Sequence, residues 1–75
     1  MKQTLETIAK HLVDKPELVS VREIVEGDLV TLELSVASDD MGKVIGKQGK
    51  IAKAIRTVVK AAAIYQSKRV MVEIV

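Results

Sequence analysis

The sequence predicts a two-layer α+β domain in the order α-β-β-α-α-β, with a three-stranded mixed sheet and the helices on one face. Three observations carry this. An amphipathic helical repeat opens the chain, a cleanly alternating strand lies near its middle, and a second helical repeat separates that strand from a final alternating segment.

The first helix is expected over residues 3–13, where Leu5, Ile8, Ala9, Leu12 and Val13 recur at helical spacing. Thr4 is the expected cap, with Glu6 in the first turn. Asp14-Lys15-Pro16 should end the helix, because the residue before a proline is biased away from helical geometry. Its expected role is a lid over one sheet face.

Residues 19–26 read as a strand with imperfect alternation. Gly27-Asp28 is a turn candidate, although its type stays open because glycine precedes the aspartate. Over residues 29–37, Val30, Leu32, Leu34 and Val36 point one way while Thr31, Glu33 and Ser35 point the other. That is the pattern of a half-buried strand, so the two segments should form a hairpin.

Ser38, Asp39 and Asp40 offer caps for a short helix over Met41 to Ile45, and Gly46 and Gly49 interrupt it. From Lys50 the helical pattern resumes. Ile51, Ile55, Val58, Val59 and Ala62 fall within about 100° of one another, opposite Lys50, Lys53, Arg56, Thr57 and Lys60. One helix thus presents an aliphatic face to the sheet and a basic face to solvent. Residues 69–75 form the last strand, with Val70, Val72 and Ile74 inward. A helical crossover to it from the second strand makes the two parallel neighbours.

A chain of 75 residues holds one core, so residues 1–75 are read as a single domain. With 48% hydrophobic and 29% charged residues it is a folding composition. The core must be aliphatic, since Tyr65 is the only aromatic residue. The absence of cysteine removes disulfides, thiolate zinc sites and a cysteine nucleophile, and the single histidine, His11, cannot build a closed metal site. No cofactor is expected. Met1-Lys2-Gln3-Thr4 runs into a mixed-charge segment, unlike a secretory leader or a membrane span, so a cytoplasmic location is expected.

Charge is unevenly distributed. Residues 1–40 carry four basic and nine acidic side chains, whereas residues 41–75 carry eight basic and one acidic. Such asymmetry can build a positive face for an anionic partner, although a lysine-rich solvated helix has the same composition.

The segment from Val44 to Ile51 is the informative one. Gly46 and Gly49 free a tight loop from Cβ crowding, and the helix that starts after Gly49 offers unpaired N–H groups to an anion. Lys47 and Lys50 supply charge without reading base identity. Ile45 and Ile51, with a residue from the neighbouring strand, are expected to line an apolar groove for unstacked bases. Two glycines spaced three apart are common in helix-joining turns. Here the match extends to the aliphatic pair before the loop and the helix after it.

This segment resembles the signature of KH domains, and the element order resembles the type II, bacterial arrangement. The whole chain is similar to the KhpA family of small single-domain KH proteins. The resemblance implies a groove for about four nucleotides of single-stranded RNA or DNA, clamped by the glycine loop. On this chain the loop is Gly46, Lys47, Gln48 and Gly49, with Ile45, Ile51 and Ile55 supporting or lining the groove. Lys47, Lys50, Lys53 and Arg56 are expected to steer and hold phosphates. The resemblance further implies self-association, pairing with a larger KhpB-type KH protein, and a role in cell elongation or shape through RNA control.

Other readings fare worse. Only three residues separate Gly42 from Gly46, where a nucleotide-binding P-loop needs four, and Gln48 stands where that loop needs serine or threonine. Asp39 and Asp40 are read as helix caps, and His11 as a surface residue, so no acid–base pair is found and a non-enzyme is expected. The runner-up is a protein-interaction module. It is motivated by the small size and by Ile64 and Tyr65, aliphatic and aromatic bulk at a helix end that one core does not obviously absorb. A basic helix without Trp or Phe is a poor membrane anchor.

Overall fold

A computed structural model describes residues 1–75. The elements are α1 (Lys2–Leu12), β1 (Ser20–Glu26), β2 (Leu29–Ser35), α2 (Met41–Ile45), α3 (Lys50–Ile64) and β3 (Arg69–Ile74), in the expected order. Single 3-10 turns at Pro16–Leu18, Ser38–Asp40 and Lys47–Gly49 join them.

Helix α1 starts earlier than its sequence suggests. Met1 occupies the cap position and makes no side-chain cap bond, so Thr4 lies inside the helix. The first turn holds no acidic residue, and Glu6 instead accepts a hydrogen bond from Lys10 at 3.1 Å, one turn on. Leu5 and Ala9 are buried, which orients the helix, and burial of this face outweighs the weak capping preference of Thr4. The helix stops at Val13, which is extended, and Pro16 opens a 3-10 turn where its missing N–H is harmless.

The β1–β2 hairpin pairs Val21 with Leu34, Glu23 with Leu32 and Glu26 with Leu29, leaving Gly27-Asp28 as a two-residue loop. Gly27 has φ of +61° while Asp28 does not enter the positive region. This is the II′ pattern, in which glycine takes the first central position. Strand β2 lies in the middle of the sheet, antiparallel to β1 and parallel to β3. Its alternation places Val30, Leu32 and Leu34 in the core, while Val36 lies just beyond the strand, half-buried. Val70 and Val72 of β3 join the core, and Ile74 packs against its margin.

Helix α3 buries Ala52, Ile55, Val59 and Ala63. The buried face is therefore rotated from the expected one. Ile51 is half-buried and Val58 is 49% exposed, while Ala52 and Ala63 are buried beside Ile55 and Val59. The cause is that α3 meets two neighbours. One flank packs on the sheet, and the other turns toward α1, where Ile51, Ala54, Ile55 and Val58 face Ile8 and Leu12 across an open groove. The core is wholly aliphatic. Each fully buried leucine or valine contributes roughly 1.5–3 kcal/mol.

One polar side chain enters this interior. Asp40 is 1% exposed and is not a side-chain cap of α2, contrary to expectation. Its carboxylate accepts the N–H groups of Asp14 and Lys15, at 3.2 and 3.1 Å, fixing the connection that leaves α1 against the start of α2. Lys43 lies 3.6 Å from the same carboxylate and also pairs with Asp14. Burial pushes the Asp40 pKa up, but the two backbone N–H groups and the Lys43 charge outweigh it, and the pKa ends below the ordinary carboxylate value. Asp39 stays exposed and pairs with Lys15 at 3.6 Å.

Candidate nucleic-acid interface

The loop between α2 and α3 is shaped by backbone geometry that few side chains tolerate. Gly46 (φ +75°, ψ 173°), Gln48 (φ +59°, ψ 25°) and Gly49 (φ +74°, ψ 13°) all have positive φ. Hydrogen bonds from Gly46 N–H to Gly42 O (2.9 Å) and from Gly49 N–H to Gly46 O (3.2 Å) close the turn. The two glycines are needed for different reasons. A β-carbon on Gly46 would meet Ile51 Cγ1 at 2.5 Å, whereas one on Gly49 would meet nothing within 4 Å. Gly46 lets the loop pack on α3, and Gly49 leaves space open outside it.

Lys47 and Gln48, between the glycines, are exposed. Gly49 occupies the cap position of α3 and has no side chain to cover the first-turn N–H groups. A phosphate approaching there meets backbone donors, the positive end of a fifteen-residue helix and flanking lysines. Among the eight cations of residues 41–75, only Lys43 and Arg69 take part in ion pairs. Lys47, Lys50, Lys53 and Arg56 have no acidic partner, so their charge is available to a ligand. Lys43, although next to the loop, is committed to Asp14 and Asp40. Its hydrogen bond to Asp14 leads in raising its pKa, with both carboxylate charges contributing, against the opposing effect of burial.

The ten candidate residues divide between two flanks of α3. Arg56 reaches the free edge of β3, where its Nε donates to the Val72 carbonyl at 3.1 Å. Ladder bonds from Arg69 N–H to Asp28 O and from Val75 N–H to Leu34 O, both 2.9 Å, turn alternate residues of β3 toward β2. Val70, Val72 and Ile74 therefore point their N–H and C=O groups to the open edge. Lys53 is exposed one turn before Arg56. Arg56 thus bridges the seam between this edge and the basic side of α3, the helix that starts at the glycine loop.

Ile51 and Ile55 lie on the other flank. The apolar groove they line with Lys50, about 530 Å³, is closed by Ile8 and Leu12 of α1, and neither Ile45 nor a strand residue takes part in it, which corrects the expected lining. Ile55 is buried and belongs to the core as well, while Ile45, at the end of α2, is exposed beside the loop. Sequence reasoning missed the Arg56–Val72 contact and the contribution of Ile8 and Leu12. Arg56 lies one residue after Ile55 and three before Val59, so its place at the sheet-facing margin of the helix was the available signal.

A family model described as KhpA/KhpB, KH domain, matches residues 2–74. The chain belongs to the KhpA/KhpB KH-domain family. Its relatives include proteins named RNA-binding protein KhpA from Clostridium acetobutylicum, 65% identical over 75 residues, and from Clostridium perfringens, 64% identical over 75 residues, each match covering 100% of both chains. The protein of the same name from Listeria monocytogenes is 45% identical over 100% of this chain and 99% of its own. Among solved structures, Aquifex aeolicus Era bound to GDP and aluminium fluoride superposes with a TM-score of 0.69. That match covers 97% of this chain and 28% of Era at 19% identity, a likeness of fold.

Proposed function

We propose that this KhpA/KhpB-family domain binds single-stranded RNA without catalysing a reaction. The observation that carries this reading is the loop from Gly46 to Gly49, which opens onto the uncapped start of α3 beside cations that no carboxylate neutralises. The names of the relatives, RNA-binding protein KhpA, support the same ligand. In this reading Gly46, Lys47, Gln48 and Gly49 hold the backbone. Lys50, Lys53 and Arg56 neutralise phosphates, and Ile45, Ile51 and Ile55 support the loop and its helices.

Bases laid along the seam between α3 and β3 meet the free edge of β3 and the Arg56 guanidinium, without an aromatic platform. Affinity then rests on phosphate neutralisation and should fall steeply with salt. For a single strand the slope of log affinity against log salt is about −0.7 per phosphate contacted, so three or four contacts give about −2 to −3. Titrating a short unstructured RNA at several salt concentrations tests this, and salt-insensitive binding contradicts it.

A footprint of about four nucleotides limits affinity, and pairing two such domains raises it through effective concentration. The α1–α3 groove supports a second part of the reading, in which a second copy of the chain covers Leu12 and Val58 and the protein acts as a homodimer. Pairing with a larger KhpB-type protein, a cytoplasmic location and a role in cell elongation and shape through RNA control rest on the family likeness. The competing reading, an interaction module with incidental RNA binding, draws on the same groove. Sedimentation separates the two readings: a strict monomer that binds RNA tightly removes the scaffold role.

A further inference from the structure

Beyond the glycine loop, the seam between α3 and β3 ends in a second cationic site. The last turn of α3 and the first residues of β3 enclose a pocket of about 330 Å³ lined by Lys60, Ala63, Ile64, Lys68, Arg69 and Val70. We propose that this pocket is a flanking subsite that holds a further nucleotide of the same RNA strand, its phosphate on Lys60 and Lys68 and its base over Ile64. The inference rests on the RNA-binding reading above and extends it.

Position is the first argument. Lys53, Arg56 and Lys60 are spaced by three and four residues and share one side of α3. Arg56 already touches the open edge of β3 at Val72, and Lys60 lines the pocket one turn farther on. A strand leaving the loop along this side meets cations continuously. Lys60 lies about 15 Å along the helix axis from Lys50, at 1.5 Å per residue, so the pocket and the loop hold different nucleotides.

Charge is the second. Lys60 and Lys68 have no acidic partner. Arg69 is partly neutralised by Asp28, with Nη2 and Oδ1 3.2 Å apart. The Asp28 carboxyl is held below its ordinary pKa first by that hydrogen bond, then by the Arg69 charge, with Lys68 adding to it. One carboxylate therefore faces two cations, Arg69 and Lys68, and Lys60 has none.

The helix end itself does not repel a phosphate as an open C-terminus would. Ala63 O accepts the N–H groups of Gln66 and Lys68 at 3.0 and 3.4 Å, and Ile64 O accepts that of Ser67 at 3.2 Å. The same bonds fix the turn that carries Lys68, with Ser67 at φ +54°. Ile64 is 74% exposed and contributes nothing to the core, yet it lies between these cations. An aliphatic surface beside unpaired lysines suits an unstacked nucleotide, which is both apolar on its base face and anionic.

The test compares uridine oligomers of four and eight residues on the parent and on the double variant Lys60→Ala, Lys68→Ala, by fluorescence anisotropy. Both lysines are exposed, so the variant should fold as the parent does, which circular dichroism checks. The expected result is a four-residue affinity within about twofold of the parent and a loss of roughly tenfold on the eight-residue strand. The salt slope on the longer strand should drop by about 0.7, equivalent to the one phosphate that the subsite holds. Equal losses on both lengths overturn the subsite, because the lysines then act only as a general field. No loss on either length also overturns it, and the pocket then fits an acidic protein segment better than RNA. A parent that binds neither oligomer removes the RNA reading itself, and the subsite with it.

Discussion

Ile51 occupies the space that a side chain on Gly46 would need: a β-carbon built there lies 2.5 Å from Ile51 Cγ1 and 2.8 Å from Ile51 Cβ. The contact is with the branched root of Ile51, which cannot swing aside as a flexible chain end does. Loop shape and helix packing are thus joined at one point. Gly46→Ala must absorb both this overlap and an unfavourable positive φ, and should cost about 2–4 kcal/mol. Gly49→Ala keeps open space around it and should cost only about 1 kcal/mol of backbone strain. Urea denaturation of the two variants checks the difference, and equal midpoints contradict it.

The clamp at Asp40 predicts acid sensitivity. Asp40 and Asp28 have folded pKa values below the ordinary carboxylate value of 3.8. A depressed carboxylate pKa means that the unfolded chain binds protons first as pH falls. The stability these groups contribute is therefore complete above about pH 5 and is lost as pH drops through 3.8 toward the folded values. Asp40→Asn should lower the neutral-pH Tm by on the order of 10 °C and flatten the acid limb, since one amide oxygen cannot replace a charged carboxylate that serves two N–H groups. Thermal melts from pH 3 to pH 7 measure both. Lys43 behaves in the opposite sense: its raised pKa makes its contribution complete below 10.5 and lost as pH climbs through the folded value.

Core and surface aliphatics should separate cleanly. Leu32 is fully buried under the helices, and Leu32→Ala should cost about 2–5 kcal/mol, enough to leave so small a domain largely unfolded at 37 °C. Ile64→Ala, at the exposed end of α3, should change stability by no more than about 0.5 kcal/mol. Chemical denaturation with circular dichroism distinguishes the two.

Much of this architecture is legible in the residues, and the illegible parts have specific causes. Val30, Leu32 and Leu34 alternate strictly because β2 is the central strand with one covered face, and all three are buried as the pattern requires. The glycine loop is legible because positive φ leaves a compositional mark at Gly46 and Gly49, while Gln48 shares the geometry without one. The orientation of α3 is not legible from hydropathy. A helix facing both a sheet and another helix carries apolar residues on two flanks, and the small Ala52 and Ala63 are buried while the larger Val58 faces the groove. Asp40 is hidden for another reason. In sequence it resembles any acidic cap, and its actual partners, the N–H groups of Asp14 and Lys15, are brought to it only by the return of the chain. Tyr65, 91% exposed, lies outside the core as its place at the helix end suggests.

The proposed pairing of two copies through the α1–α3 groove is tested at Val58, which is exposed, apolar and distant in sequence from the loop. Val58→Glu should leave the melting curve nearly unchanged and shift the sedimentation coefficient to that of a monomer at every concentration. A dimer that survives this charge uses another surface.

The central claim is that the loop holds the RNA backbone, and the double variant Lys47→Asp, Gln48→Asp tests it most directly. Both side chains are exposed and neither supports the core, so circular dichroism should report a folded protein. Anisotropy of a short unstructured RNA should then show binding by the parent and a loss of at least tenfold in the variant, because two anions then stand where the proposal places phosphate. Equal affinity in parent and variant would place the RNA elsewhere and contradict the account.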